Sequence, residues 1–232
     1  MSEIKASAAW TAATKQFLSS GQALAYPSET LVRIVKGNYI PGMTSDFAGK
    51  WALDVGFGAG NNVRFLHGLG MRVSGTEISE EYCCEIRTRL NADGIEADLR
   101  VGKNTALPFD TGTFDLLVSW NVIHYEDNEA DMIAAIREYA RVLKPGGRLL
   151  LSTTGPEHKI LEGSRTLGGH RYEIGRADDF RKGTVYFYFD AENYVRYYFD
   201  MAFDDVIVGR THDKLFTESL DWFIVAGKAR HG

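Results

Sequence analysis

Asp54 closes a short apolar run, Trp51, Ala52 and Leu53, and three glycines follow at alternate positions, Gly56, Gly58 and Gly60. Glycines at this spacing let a tight turn adopt positive φ and let a ligand lie against bare backbone. An amphipathic segment opens directly after them, and a helix start there offers unpaired N–H groups to polar ligand atoms. Glu77 stands nineteen residues after Gly58, where an acid can accept hydrogen bonds from both hydroxyls of a ribose. These residues together point to nucleotide binding. The dinucleotide pattern G-x-G-x-x-G is not met, because the third glycine comes one residue early and Asn61 takes its place. Two histidines are candidates for proton transfer: His124, in the run Trp120-Asn121-Val122-Ile123-His124-Tyr125, and His170, followed by Arg171 and Tyr172. The unperturbed imidazole pKa lies near physiological pH, so either ring can deprotonate a hydroxyl.

Alternating strands and helices are needed to hold these groups together. Trp51 to Asp54 reads as a first strand, and Val63 to Leu69 as the helix after the glycine turn. Met71 to Thr76 reads as a second strand ending at Glu77. Ser79 is placed to cap a helix with Cys83, Ile86 and Leu90 on one face. Leu99 to Val101 and Phe114 to Ser119 are the third and fourth strands. Asn128 caps a helix that ends at Lys144-Pro145-Gly146-Gly147, a stretch that stops helices and reverses the chain. Arg148 to Thr153 is the fifth strand. Ala191 to Met201 reads as a helix, and Phe203 to Val208 and Asp221 to Gly227 as two β-rich runs. Ahead of the core, residues 1–48 read as a helical cap, with Ser28 capping its second helix; it either packs against the sheet or forms a lid with Trp10, Tyr26 or Glu29 turned toward the ligand. Residues 154–190 are too long for a plain βα connection. Their mixture of aromatic and charged side chains suits an insertion over a polar small-molecule pocket. One domain, 1–232, accommodates all of this.

Hydrophobic residues make up 44% and charged residues 25% of the 232, with a net charge of −5. That is ordinary soluble composition. It lacks the basic stripe of a general nucleic-acid binder and so argues against polynucleotide acceptors. The two cysteines, Cys83 and Cys84, are adjacent and belong to no disulfide framework or metal-ligand spacing. The expectation is no metal, no membrane span and a reduced, cytoplasmic setting.

The run D-x-G-x-G-x-G at 54–60 resembles motif I of the class I S-adenosylmethionine (SAM) dependent methyltransferases. LPF…FD at 107–115 and LKPGGRLLLS at 143–152 resemble further segments of that family in the same order. The resemblance extends over about residues 50–154 by motif and 191–228 by element order, and is nearest the broad small-molecule branch typified by quinone-biosynthesis methyltransferases. It implies a Rossmann-like seven-stranded, mostly parallel sheet with an antiparallel last strand and helices on both faces. It implies SAM as cofactor and S-adenosylhomocysteine as product. The methionine part would lie against Asp54 and the backbone of Gly56, Phe57, Gly58 and Gly60, and the ribose against Glu77 with Ile78 beside it. The family often has an acid where Lys103 stands here. Lysine cannot accept a hydrogen bond, so the adenine contact is expected from Asn104, Thr105 or backbone. Nucleic-acid amino-methyltransferases carry D/N-P-P-Y or F after the fourth strand; here Asn121 fits but both prolines are missing. The resemblance therefore implies a small-molecule acceptor, an oxygen more than nitrogen or carbon; Trp120, Tyr125, Arg171 and Tyr172 are the candidate acceptor contacts, and Asn121 is a candidate cofactor contact. A SAM-fold protein without turnover, or action on RNA or protein, is the alternative.

Overall fold

A computed structural model describes Trp10, Ala13 and residues 26–230. Seven strands form the central sheet in the order β3-β2-β1-β4-β5-β10-β9. They are β1 (Trp51–Val55), β2 (Arg72–Glu77), β3 (Ala97–Val101), β4 (Phe114–Trp120), β5 (Leu143–Thr154), β9 (Phe203–Leu215) and β10 (Glu218–Ala229). Strands β1 to β5 are parallel, and β10 is antiparallel to both of its neighbours. Helices α1 (Glu29–Lys36), α2 (Asn61–Gly68), α3 (Glu80–Ala92), α4 (Glu129–Val142) and α5 (Glu192–Phe199) accompany the sheet. Two separate buried clusters identify the two covered faces. Leu31, Val63, Leu66, Cys83, Ile86 and Leu90 fill one. Met132, Ile136, Tyr139, Val195 and Phe199 fill the other. A sheet buried on both sides accounts for the nearly continuous apolar reading of β1 and β4.

The strand order reverses between β1, which goes outward to β2 and β3, and β4, which goes the other way. That switch point at the carboxyl ends of the strands is where open α/β sheets bind ligands. Two of the expected caps form there. Ser79 Oγ accepts from the Tyr82 N–H at 3.3 Å, and Asn128 Oδ1 accepts from the Asp131 N–H at 2.9 Å. Ser28 precedes α1 without a side-chain cap bond, contrary to expectation. Residues 1–9, 11, 12 and 14–25 of the expected cap lie outside the described residues.

The remaining differences have local causes. Strand β5 reaches back to Leu143, which pairs with Phe114; the register then jumps to Arg148, so Lys144–Gly147 bulges out of a strand instead of preceding it. Strands β9 and β10 are each longer than expected. Thr211 and Asp213, polar enough to read as a connection, pair with Trp222 and Leu220 in an edge hairpin that turns at Phe216-Thr217. Within 154–190 the chain makes a three-stranded antiparallel sheet, β6 (Arg165–Gly168), β7 (Arg171–Glu173) and β8 (Val185–Phe187). The Phe187 N–H donates to the Glu126 carbonyl at 2.8 Å, which fastens this small sheet beside the carboxyl end of β4.

Candidate active site

The glycine turn closes on β2. Gly56 N–H donates to the Thr76 carbonyl at 2.8 Å, and Gly60 N–H to that of Phe57 at 2.9 Å. Gly56 has φ +65°, and a Cβ there would sit 2.5 Å from a Val122 methyl. Glycine is required on both counts. Gly58 has φ +50° with open space where a Cβ would be, a backbone face clear for a ligand. Phe57 presents only backbone, since its ring is buried and stacked on Tyr82.

Asp54 is fully buried, and neither carboxylate oxygen has a hydrogen-bond partner among the described residues. Burial pushes its pKa to about 8; Asn62 opposes the shift and the Glu77 charge adds to it. An orphaned buried acid is costly unless something cationic or donating meets it. Glu77 is also buried. Its Oε1 accepts from the Gly58 N–H at 3.3 Å and its Oε2 from the Ile78 N–H at 3.1 Å. Burial raises its pKa, while those two N–H groups and the Trp10 indole hold it down. Trp10 thus meets the acid expected to hold a ribose, and its ring also packs edge-on against Tyr125, 5.7 Å between centroids.

Asn104 is engaged elsewhere. Its Nδ2 donates to Glu126 at 2.8 Å and its Oδ1 accepts from the Tyr139 hydroxyl at 3.0 Å. Lys103 beside it is exposed, and so is the Thr105 neighbour Ala106. Glu126, which sequence reasoning passed over, is a half-buried acid bonded to this loop, and burial raises its pKa. The only signal in the sequence was an acid following an aromatic run.

At the end of β4 the chain turns sharply. Asn121 has φ +61°, a left-handed conformation that asparagine tolerates better than most residues. Its N–H donates to Ser152 Oγ at 2.9 Å, and that hydroxyl donates to Asn121 Oδ1 at 2.5 Å. The turn delivers His124 into a buried aromatic nest. Ring centroids lie 5.0 Å away for Tyr125, 5.4 Å for Tyr186 and 6.1 Å for Trp222. His124 is 2% exposed and its Nδ1 has no partner among the described residues. Burial, then the nearby charges of Arg181 and His158, holds its pKa well below the ordinary imidazole value.

His170 does not join His124. It packs against Phe187, Phe189, Tyr194 and Tyr198. Phe187 follows Tyr186 in β8, and adjacent strand residues face opposite sides, so the two histidines lie on opposite faces of that strand. Tyr172 packs on Tyr188, and Arg171 pairs in register with Phe187. Residues that sequence reasoning did not single out, His158 and Trp222, join His124 instead. They come from the turn after β5 and from β10, so no spacing pattern could have announced them.

The strand order, the glycine turn at the switch point and the acid closing β2 define a Rossmann-like nucleotide-binding fold of the class I methyltransferase type. Residues 52–147 match the family model described as a methyltransferase domain. Two relatives agree over the same half of the chain. A ubiquinone biosynthesis O-methyltransferase from Xanthomonas oryzae pv. oryzae is 34% identical over 109 residues, 47% of this chain and 44% of that protein. A probable tRNA methyltransferase 9B from Mus musculus is 33% identical over 116 residues, 48% of this chain and 23% of that protein. The chain thus spans less than half the length of these relatives. A crystal structure of a SAM-dependent methyltransferase from Methanosarcina mazei superposes with a TM-score of 0.67 at 19% identity, covering 79% of this chain and 94% of the other. Residues 52–147 thus match a methyltransferase domain, set in a fold of the class I SAM-dependent type. Its site fits that cofactor: an orphaned buried carboxylate at Asp54, an open backbone face at Gly58 and a buried acceptor at Glu77. No group of three or more His, Cys, Asp or Glu residues that could hold a metal occurs among the described residues. No helix among them is long and apolar enough to cross a membrane.

Proposed function

We propose that this chain methylates a hydroxyl of a small-molecule acceptor by direct displacement, with His124 taking the proton. The observation that carries the reading is His124 itself: a neutral, buried imidazole with an unpartnered nitrogen, at the carboxyl end of β4 beside the cofactor crevice. SAM supplies a methyl group already bonded to a good leaving group. The protein's part is to hold the acceptor in line and exclude water, mainly a positioning effect. The acceptor hydroxyl gives its proton to His124. With SAM bound, that oxygen would take the methyl group, the electron pair of the broken carbon–sulfur bond going to the sulfur of the leaving group. The proton then leaves His124 for solvent. In this reading Asp54 and the Gly56–Gly60 backbone hold the methionine part and Glu77 the ribose. Ile78, with its exposed side chain, and Thr105 flank the adenine. Asn121 and Trp120 form the floor between the two ligands. In this reading residues 154–190 cover the acceptor: Tyr186 packs on His124, Arg181 is a charge near it, and Phe180 packs on Trp10, which meets Tyr125.

The test is methyl-labelled SAM incubated with the protein and a cell extract split into metabolites and macromolecules. Label in the metabolite fraction is expected, and His124→Asn should lower kcat by about a hundredfold or more with unchanged affinity for S-adenosylhomocysteine. A second reading is favoured by the similarity to a probable tRNA methyltransferase. Label recovered in RNA would replace the small-molecule reading with that one.

A further inference from the structure

Glu77 is asked for more hydrogen bonds than its two oxygens can give. A carboxylate offers about four lone-pair positions. The Gly58 N–H takes one on Oε1 at 3.3 Å, and the Ile78 N–H takes one on Oε2 at 3.1 Å. The Trp10 side chain takes a third, and an indole can only donate. Three N–H donors also favour the ionised form, which accepts and does not donate. About one position is left, and the two hydroxyls of a ribose ask for two. The two backbone donors are fixed in place. Gly58 sits in the turn that Gly56 and Gly60 close with their own N–H groups, and Ile78 is the residue next to Glu77 in the chain. Of these three donors, only Trp10 is a side chain that rotation can withdraw.

The same indole touches the acceptor side. Its centroid lies 5.7 Å from that of Tyr125 and 6.3 Å from that of Phe180. Tyr125 in turn meets His124 at 5.0 Å and Tyr186 at 4.8 Å. Phe180 is partly exposed, and the Arg181 guanidinium lies over its ring, 4.9 Å from the centroid. One half-buried side chain thus spans the acid that closes β2, the turn after β4 and the insertion 154–190. Withdrawing it from Glu77 also removes a wall from Tyr125 and Phe180.

We propose that Trp10 stands in for the ribose: its indole N–H holds Glu77 until SAM arrives, and SAM binds by exchanging that N–H for a ribose hydroxyl, which frees Tyr125 and Phe180 on the acceptor side. The inference rests on the assignment of the ribose to Glu77 and is independent of what the acceptor is. Two consequences follow from the exchange. Cofactor binds before acceptor. Its affinity is held below the intrinsic value by the fraction of chains in which Trp10 has left Glu77.

The probe is S-adenosylhomocysteine, with its analogue lacking both ribose hydroxyls as control, added to the full chain labelled with nitrogen-15 in tryptophan. Proton–nitrogen NMR should show four indole N–H resonances, one for each tryptophan, and Trp10→Phe assigns that of Trp10 by its loss. S-adenosylhomocysteine should move this resonance upfield, away from the position of a carboxylate-bound indole. The analogue should leave it in place. By calorimetry, Trp10→Phe should bind S-adenosylhomocysteine about fivefold more tightly than wild type, because the competitor is gone. A ring that merely lined the cofactor would weaken binding when truncated, so weaker or equal binding by Trp10→Phe overturns the proposal. A Trp10 resonance indifferent to S-adenosylhomocysteine, or moved equally by the analogue, also overturns it. Were Trp10→Phe not to fold, Phe180→Ala removes one of the rings that hold the indole on Glu77; it should tighten S-adenosylhomocysteine by about twofold or more, and weaker binding overturns the proposal. Glu77→Ala separates the two readings. Wild-type affinity in that variant removes the ribose assignment and this inference together; lost affinity with an unmoved Trp10 resonance in wild type removes this inference alone.

Discussion

The cofactor crevice and the aromatic nest lie side by side at the carboxyl edge of one sheet, yet they are assembled differently. Asp54, Gly56, Gly58, Gly60 and Glu77 belong to a single βαβ unit, and much of what they present is backbone or is braced by backbone. His124, His158, Tyr186 and Trp222 come from four segments, after β4, after β5, in β8 and in β10. The crevice is a local device whose parts stay near one another through short connections. The nest exists only once β10 has inserted beside β5 and the small sheet has docked on the turn after β4. Local construction suits a ligand common to many proteins; construction from distant segments leaves the acceptor free to differ.

The largest expected effect tests the crevice without any ligand. The Asp54 carboxyl titrates near 8 when folded, far above its ordinary 3.8, so between those values the folded chain holds a proton that the unfolded chain has lost. Stability must then fall as pH rises through this window, by up to about 1.4 kcal/mol per pH unit from this group. Asp54→Asn should flatten that slope in chemical denaturation series from pH 5 to 8. A slope unchanged in the variant would show that the acid is not held protonated. Next, Asp221 accepts from the Glu157 N–H at 2.7 Å and from Arg210 at 2.6 and 2.8 Å. Asp221→Ala should destabilise the chain by about 2 kcal/mol, less than for a fully dry ion pair because Arg210 is partly exposed. Affinity for S-adenosylhomocysteine should hold steady, because the damage falls on the turn that carries His158. If calorimetry shows that affinity lost as well, the crevice and the nest are one coupled unit. Glu77→Ala should do the converse, weakening S-adenosylhomocysteine by about tenfold or more as two ribose hydroxyls lose their acceptor. Wild-type affinity in this variant would remove the ribose assignment. The smallest effect belongs to Tyr139→Phe, which cuts the link from Ser119 to Asn104 and should cost about 1 kcal/mol, read as a lower midpoint in urea.

Glycines at alternate positions, an acid at the end of the next strand, and Ser79 and Asn128 before their helices each carry their structural meaning within a few residues. The alternation of strands and helices through β5, the mostly parallel sheet and the cofactor class were therefore legible in the chain, whereas the strand order came from the structure. Strand ends were less so. Thr211 and Asp213 look like a connection because an edge hairpin keeps one side in solvent, and only pairing with β10 reveals them as strand. Ser28 looks like a cap, but its side chain makes no such bond in the fold.

What the amino-acid order determined by itself was the backbone-level part of the protein: where turns need glycine, where helices begin, and which strand ends in an acid. The tertiary structure alone decided which histidine joins which cluster of rings. His124 and His170 look equivalent as residue types, yet the alternation of β8 sends them to opposite sides. His158, unremarkable in sequence, becomes a buried donor because the Ile160 N–H claims its other nitrogen and Trp222 closes over it. Side-chain partnerships across four segments depend on the docking of elements far apart in the chain, and no local preference encodes that.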